Sequence, residues 1–195
     1  LYSVTYNNGV SKYALRKIPY VPRVLDVSAG IGIPYSEFAV FNTDATLLER
    51  AEAYALSGQY DKAVNDINAE LSVFTKKKTQ LTLDEIVDFY GSLAYYTPTK
   101  PTPKKALNPL FTIERTTQEP LLQCILQLRR LLTMHEGFRL QDVKRYGITM
   151  YRRQVDVQSN VTAVTDSMKT GDPRLAIQLP QDVISAGVTP NPRNK

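Results

Sequence analysis

The chain predicts a mainly α-helical fold with irregular loops and a few short strands. Three observations predict it. Two apolar stripes at helical spacing, Leu47 to Ala55 and Tyr60 to Leu71, stand either side of Ser57-Gly58. A third stripe opens on Thr82 and Glu85, a spacing typical of helix starts. A leucine-rich segment runs from about Glu119 to His135. Period-two alternation, the mark of half-buried strands, is confined to short pieces.

The 195 residues are enough to bury a core and are expected to form one unit, 1–195. Hydrophobic residues at 43% and charged residues at 22% exclude collagen-like and disordered classes. No apolar run approaches the ~20 residues of a membrane helix. The lone Cys124 cannot close an internal disulfide, and with the lone His135 it argues against zinc or any other metal site. No cofactor is implied. The net charge of +5 is scattered in short clusters such as Lys76-Lys77-Lys78 and Arg152-Arg153, so no nucleic-acid partner is expected. The start at Leu1, without a signal pattern, reads as a processed or truncated product.

Along the chain, residues 1–40 read as irregular or extended. Pro19, Pro22 and Pro34 disfavour helix, Gly30-Ile31-Gly32 adds flexibility, and Tyr2, Val4 and Tyr6 alternate as a short strand. The first helix is expected to start near Thr43, with Thr46 and Glu49 as its capping box, and to end at Ser57-Gly58. A second helix follows at once, so the two must form an antiparallel hairpin. Leu47, Ala51, Tyr54, Gly58, Tyr60, Ala63 and Ile67 stand at the spacing of a tetratricopeptide (TPR) unit, and the segment resembles one such hairpin. The third helix is placed from Leu83 to about Tyr95, with Ile86, Phe89, Tyr90 and Leu93 as its stripe. Pro98, Pro101 and Pro103 then impose an extended, exposed loop through Lys105. Pro120 suits the first turn of the long helix, whose broad apolar face predicts burial on more than one side. Gly137 interrupts it, and a short helix over about 138–145 follows. Beyond Gly147, Val155 and Val157, then Leu175, Ile177 and Leu179, alternate as strands, with Asp172-Pro173 as a turn and Pro180 as a stop.

Few residues invite a chemical role. Glu136, Arg139, Asp142 and Arg145 recur every third position, which on a helix permits i,i+3 pairing. Two carboxylates could serve glycoside hydrolysis, but each has a basic neighbour that favours its ionised form, so they read as a salt-bridge network and no catalytic residue is assigned. Tyr95 and Tyr96, beside the proline-rich loop, are the candidate ligand contacts, since tyrosine offers a flat apolar face and a polar tip. Cys124, among leucines, reads as a buried small hydrophobe.

The segment Leu48-Glu49-Arg50-Ala51-Glu52-Ala53-Tyr54-Ala55, the arginine-bearing helix leading into Glu136-Gly137-Phe138-Arg139 with Asp142, Arg145 and Gly147, and the closing Leu175-Ala176-Ile177-Gln178-Leu179-Pro180 with Asn191-Pro192 occur in that order. Together they resemble the SusD/RagB family of bacterial outer-membrane nutrient-binding lipoproteins, over roughly residues 35–70 and 119–195. Leu128 and Leu132 stand where the family usually has glutamates, and Leu140 replaces a common aromatic.

The resemblance implies a SusD-like α/α fold of which this chain is the C-terminal part, with TPR-like helices and a lipid anchor upstream. It implies a non-catalytic protein at the cell surface of the outer membrane. Such a protein holds an oligosaccharide or peptide as the lid of a SusC-like TonB-dependent transporter. Partners would be that transporter, the glycan or peptide ligand, and the N-terminal part of its own chain. Glu136, Arg139, Asp142 and Arg145 carry over as a structural family motif. A TPR-type scaffold that binds only protein is the alternative.

Overall fold

The computed structural model describes residues 2–7, 10–15, 20–36, 39, 41–134, 136–158 and 160–193; Pro19 and His135 therefore lie outside the described residues. The chain divides into two compact units, residues 1–42 and 43–195.

The first unit is two antiparallel hairpins, more regular than the irregular or extended stretch expected from sequence. Strand β1 (Tyr2–Asn7) pairs with β2 (Val10–Leu15), and β3 (Tyr20–Asp26) with β4 (Ile31–Ser36). Pro22 sits opposite Pro34 in the second pair, a position that a two-stranded ribbon tolerates because both strands are edges. The Asp26 carboxylate accepts from the Ser28 and Ala29 amides at 2.8 and 3.0 Å and shapes the turn. Gly30 closes that turn at φ +64°, and Gly32 belongs to β4, so this glycine pair shapes a hairpin rather than a flexible joint.

The second unit is mainly helical. Helices α1 (Thr43–Leu56) and α2 (Tyr60–Phe74) form the expected hairpin, turning on Gly58 at φ +76°. Fully buried Ala51, Ala55 and Ala63 allow close approach, and Arg50 clamps Asp66 across the pair with bonds of 2.9 and 2.8 Å. The helix starts at Thr43, so Thr46 lies within it rather than capping it, and Asp44 supplies the favourable charge in its first turn.

Helix α3 (Leu83–Ser92) does open on the Thr82–Glu85 capping box, but it ends three residues before Tyr95. There the Thr102 hydroxyl donates to the Ala94 carbonyl (2.9 Å) and the Tyr96 amide to the Lys104 carbonyl (2.7 Å), holding the chain out of helical geometry. Asn68 of α2 anchors the approach to α3, accepting from the Leu81 amide and donating to its carbonyl, each at 2.8 Å.

Helix α4 (Gln118–Leu132) is the hub, packed against both α1 and α3. Leu121, Leu122 and Ile125 are fully buried, which accounts for its broad apolar face. The Gln118 amide donates to the Ala55 carbonyl (2.9 Å), satisfying a carbonyl at the end of α1. Helix α5 (Arg139–Arg145) follows Gly137.

A hairpin of β5 (Met150–Val155) and β6 (Val161–Met168) comes next, with Val157 in its exposed connection rather than in a strand. The expected strand at Leu175–Leu179 is absent: Pro173–Leu175 is a 3-10 turn started by Asp172, which accepts from the Arg174 amide at 2.9 Å. Pro180 then precedes a short helix, α6 (Gln181–Ser185).

Candidate functional site

Arg139, Asp142 and Arg145 join an ionic brace between α1, α4 and α5 whose centre is buried. Arg129 of α4 donates to Glu52 of α1 at 2.5 Å and to Asp142 of α5 at 2.6 Å. Arg145 and the Tyr146 hydroxyl each reach the other oxygen of Glu52 at 2.7 Å, while Arg139 approaches Asp142 at 3.4 Å. Three guanidinium groups thus face two carboxylates. Of the expected i,i+3 pairs along α5, Arg139–Asp142 forms, whereas Arg145 turns to Glu52. Glu136 lies ahead of Gly137, outside the helix.

Burial works to raise the Glu52 carboxyl, but Arg129, Tyr146 and Arg145 outweigh it and hold it below the usual carboxylate range. Burial likewise works to lower the Arg129 guanidinium, and Asp142 and Glu52 outweigh it. A carboxyl held ionised this way is a poor general acid.

Sequence reasoning found Arg139, Asp142 and Arg145 and missed Glu52 and Arg129 as their partners. A signal existed. Glu52 falls within the Leu48, Ala51 and Ala55 stripe, and Arg129 between Ile125 and Leu132, so each charge sits on a face destined for the interior.

A second arrangement gathers around Tyr96. A cavity of about 660 Å³ opens between the proline-rich loop, α4, α5 and β5. Tyr96 and Tyr151 meet on its wall, ring centroids 5.6 Å apart and planes tilted by 30°. Arg153 donates to the Pro98 and Thr97 carbonyls (2.6 and 2.8 Å) and to the Tyr96 hydroxyl, fastening β5 to the loop. Its guanidinium carbon lies 4.4 Å from the Tyr96 ring centre, and the Lys105 ammonium 3.5 Å from it. Lys105 is held by Gln123, whose side chain accepts from the Lys105 amide at 3.0 Å and donates to its carbonyl. The loop is therefore not exposed throughout, because Lys104 is buried and Lys105 half-buried. Thr102, Gln127 and Thr149 add hydroxyl and amide groups to the lining.

Tyr95 takes a different place. Its hydroxyl donates to Glu119 at 3.0 Å, and Lys104 lies 4.5 Å from its ring centre. Of the two tyrosines singled out from sequence, Tyr96 lines the cavity and Tyr95 pegs the loop to α4. Tyr151, Lys105, Arg130 and Arg153 were not anticipated there, since nothing in their separate sequence contexts brings them together.

Cys124 is buried in the core, and burial pushes its thiol up to about 12. Among the described residues, no group of three or more histidine, cysteine, aspartate or glutamate side chains is arranged to hold a metal ion. No family model matches the chain, and no curated protein or solved structure is significantly similar to it.

Proposed function

We propose that this chain is a SusD-like portion of a nutrient-binding cell-surface lipoprotein, one that captures an oligosaccharide or peptide without transforming it and delivers it to a SusC-like TonB-dependent transporter in the outer membrane. The observation that carries the reading is the Tyr96 cavity. Its size lies within the about 300–1,000 Å³ range of small-molecule sites, and its wall combines tyrosine faces with hydroxyl and amide groups suited to sugar or peptide polar atoms. The TPR-like hairpin of α1 and α2 supports it, as does the Glu-Gly-x-Arg block, whose Arg139, Asp142 and Arg145 act as a brace rather than as reacting groups. Retention of Glu52 in its ionised form speaks against acid catalysis at the brace.

The test has two readouts. Membranes producing the full-length protein are expected to yield a porin-like transporter on affinity purification. A glycan panel is expected to include a ligand whose binding Tyr96→Ala weakens about tenfold, the order of an aromatic and hydrogen-bond loss. Recovery of other protein partners only, with no glycan or peptide binding, favours a TPR-type scaffold built on the α1–α2 hairpin and overturns the proposal.

A further inference from the structure

We infer that the Tyr96 cavity selects an acidic oligosaccharide, one carrying carboxylate or sulfate groups, and that Lys105, Arg130, Arg139 and Arg153 recognise those groups. This rests on the reading of the cavity as a ligand site and names the class of ligand.

The charge of the lining is the first argument. Four cations line the cavity and no carboxylate does, although the chain carries 19 acidic residues against 24 lysines and arginines. Elsewhere five arginines are matched by carboxylates, Arg145 with Glu52 among them, whereas Arg23, Arg152 and Arg193 form no ion pair among the described residues. Arg50 pairs with Asp66, Arg115 with Glu119, Arg129 with Glu52 and Asp142, and Arg174 with Asp166 and Asp172. Among the described residues no ion pair is formed by Lys105, Arg130 or Arg153, and Arg139 has only the longer contact to Asp142.

The second argument is crowding. Burial lowers the Lys105 ammonium to about 7, and Arg130, Arg139 and Arg153 add to the fall. Like charges brought this close repel, and a concave wall focuses their field outward. An anion seated among them relieves the repulsion and gains charge-assisted hydrogen bonds.

The third argument is orientation. Arg153 is fixed by two loop carbonyls and the Tyr96 hydroxyl, and Lys105 by Gln123 through its backbone and by the bond its ammonium donates to the Thr102 carbonyl, so both are held before any ligand arrives. Thr102, Gln127 and Thr149 beside them suit sugar hydroxyls, which a bare inorganic anion does not need.

Calorimetric titration of the full chain with tetragalacturonate, a matched neutral galactotetraose and sodium sulfate tests this. The acidic sugar is expected to bind at least tenfold tighter than the neutral one and to weaken with salt. Lys105→Met and Arg130→Ala are each expected to weaken it about tenfold; Arg130 is exposed, so its loss does not threaten folding. Equal affinity for the two sugars overturns this inference and leaves glycan capture standing. Binding of neither sugar overturns this inference, and the glycan panel then decides whether ligand capture stands. Sulfate alone binding as tightly as the acidic sugar means an adventitious ion only, and also overturns it.

Discussion

Replacing Arg129 by methionine removes the centre of the brace while keeping much of the volume. The side chains of Arg129, Glu52 and Asp142 are 10%, 9% and 4% exposed, so water cannot take the place of the lost guanidinium. Glu52 keeps Arg145 and Tyr146, but Asp142 keeps only the 3.4 Å contact with Arg139. Breaking one side of a buried ion network costs about 3–5 kcal/mol, because the orphaned carboxylate stays desolvated. At about 2–4 °C per kcal/mol for a chain of this length, the melting temperature is expected to fall by roughly 6–20 °C. The pH dependence should change sign. In the parent, the Glu52 carboxyl lies below its unfolded value, so its contribution is present above that value and is lost as pH falls through the folded one. In Arg129→Met, burial acts on a Glu52 carboxyl stripped of its main partner and raises it. Stability is then greatest in acid and declines as pH rises through the new folded value. Urea unfolding followed by circular dichroism at about pH 5 and 7 reads both effects. A loss under about 1 kcal/mol, or an unchanged pH slope, refutes the view that Arg129 compensates buried charge. Adding Asp142→Asn to Arg129→Met should recover part of the loss, since the orphan is then neutral.

Gly147 adopts φ +59°, and a Cβ there would stand 2.2 Å from the Asn108 carbonyl oxygen and 2.8 Å from the Thr170 hydroxyl. Gly147→Ala is therefore expected to cost about 3 kcal/mol or more, read by chemical unfolding. Asn68→Ala deletes both bonds to the Leu81 backbone and should destabilise by about 1–3 kcal/mol, with early loss of amide exchange protection in α3. The Cys124 thiol, buried and raised to about 12, should resist alkylation at neutral pH in the native state and react promptly in urea; rapid native labelling contradicts the packing of α4. Lys105, lowered to about 7, remains protonated below that value, so acidic-sugar affinity is expected to fall as pH rises through about 7, by up to about tenfold per unit, with the slope lost in Lys105→Met. Its sign for stability is separate: above about 7 the unfolded chain holds the extra proton, so this group makes stability rise with pH up to its ordinary lysine value.

The helices were legible because each carries its own local signal. Ala51, Ala63 and Gly58 mark a close hairpin, Thr82 and Glu85 mark a start, and the leucines of α4 mark a face that needs cover from more than one side. Of the strands, β1 was marked by Tyr2, Val4 and Tyr6, but β4 and β6 were not read, because their faces are not segregated. Val24, Leu25, Ile31 and Ile33 are all more than half exposed, and β6 mixes threonine, serine and aspartate with small apolar residues. With neither face fully buried, no period-two pattern is enforced. Alternation misled at Leu175, Ile177 and Leu179 because Ile177 is 83% exposed and Asp172-Pro173 imposes a local turn. The site was half legible. Tyr96 announced itself beside the prolines, whereas Arg130, Arg153 and Tyr151 are ordinary surface residues in sequence and meet only because β5 folds back onto the loop.

The brace and the cavity share a residue, and that sharing assigns a role to a motif with no chemistry of its own. Asp142 presents one oxygen to Arg129 and the other to Arg139, and Arg139 lines the cavity. Arg129 and Arg130 are consecutive on α4, so one turns inward to the brace while the other stays at the exposed wall. The Asp142 carboxylate therefore helps to place one of the four cations, Arg139, without lining the cavity itself. Were carboxylates to line it, they would cancel the field that an anionic ligand requires. Placing the acids one layer behind the cations neutralises part of the repulsion and leaves the open side positive. On the proposed reading of the cavity, an ionic network of this kind would serve recognition by orientation, with Glu52 and Asp142 outside the lining.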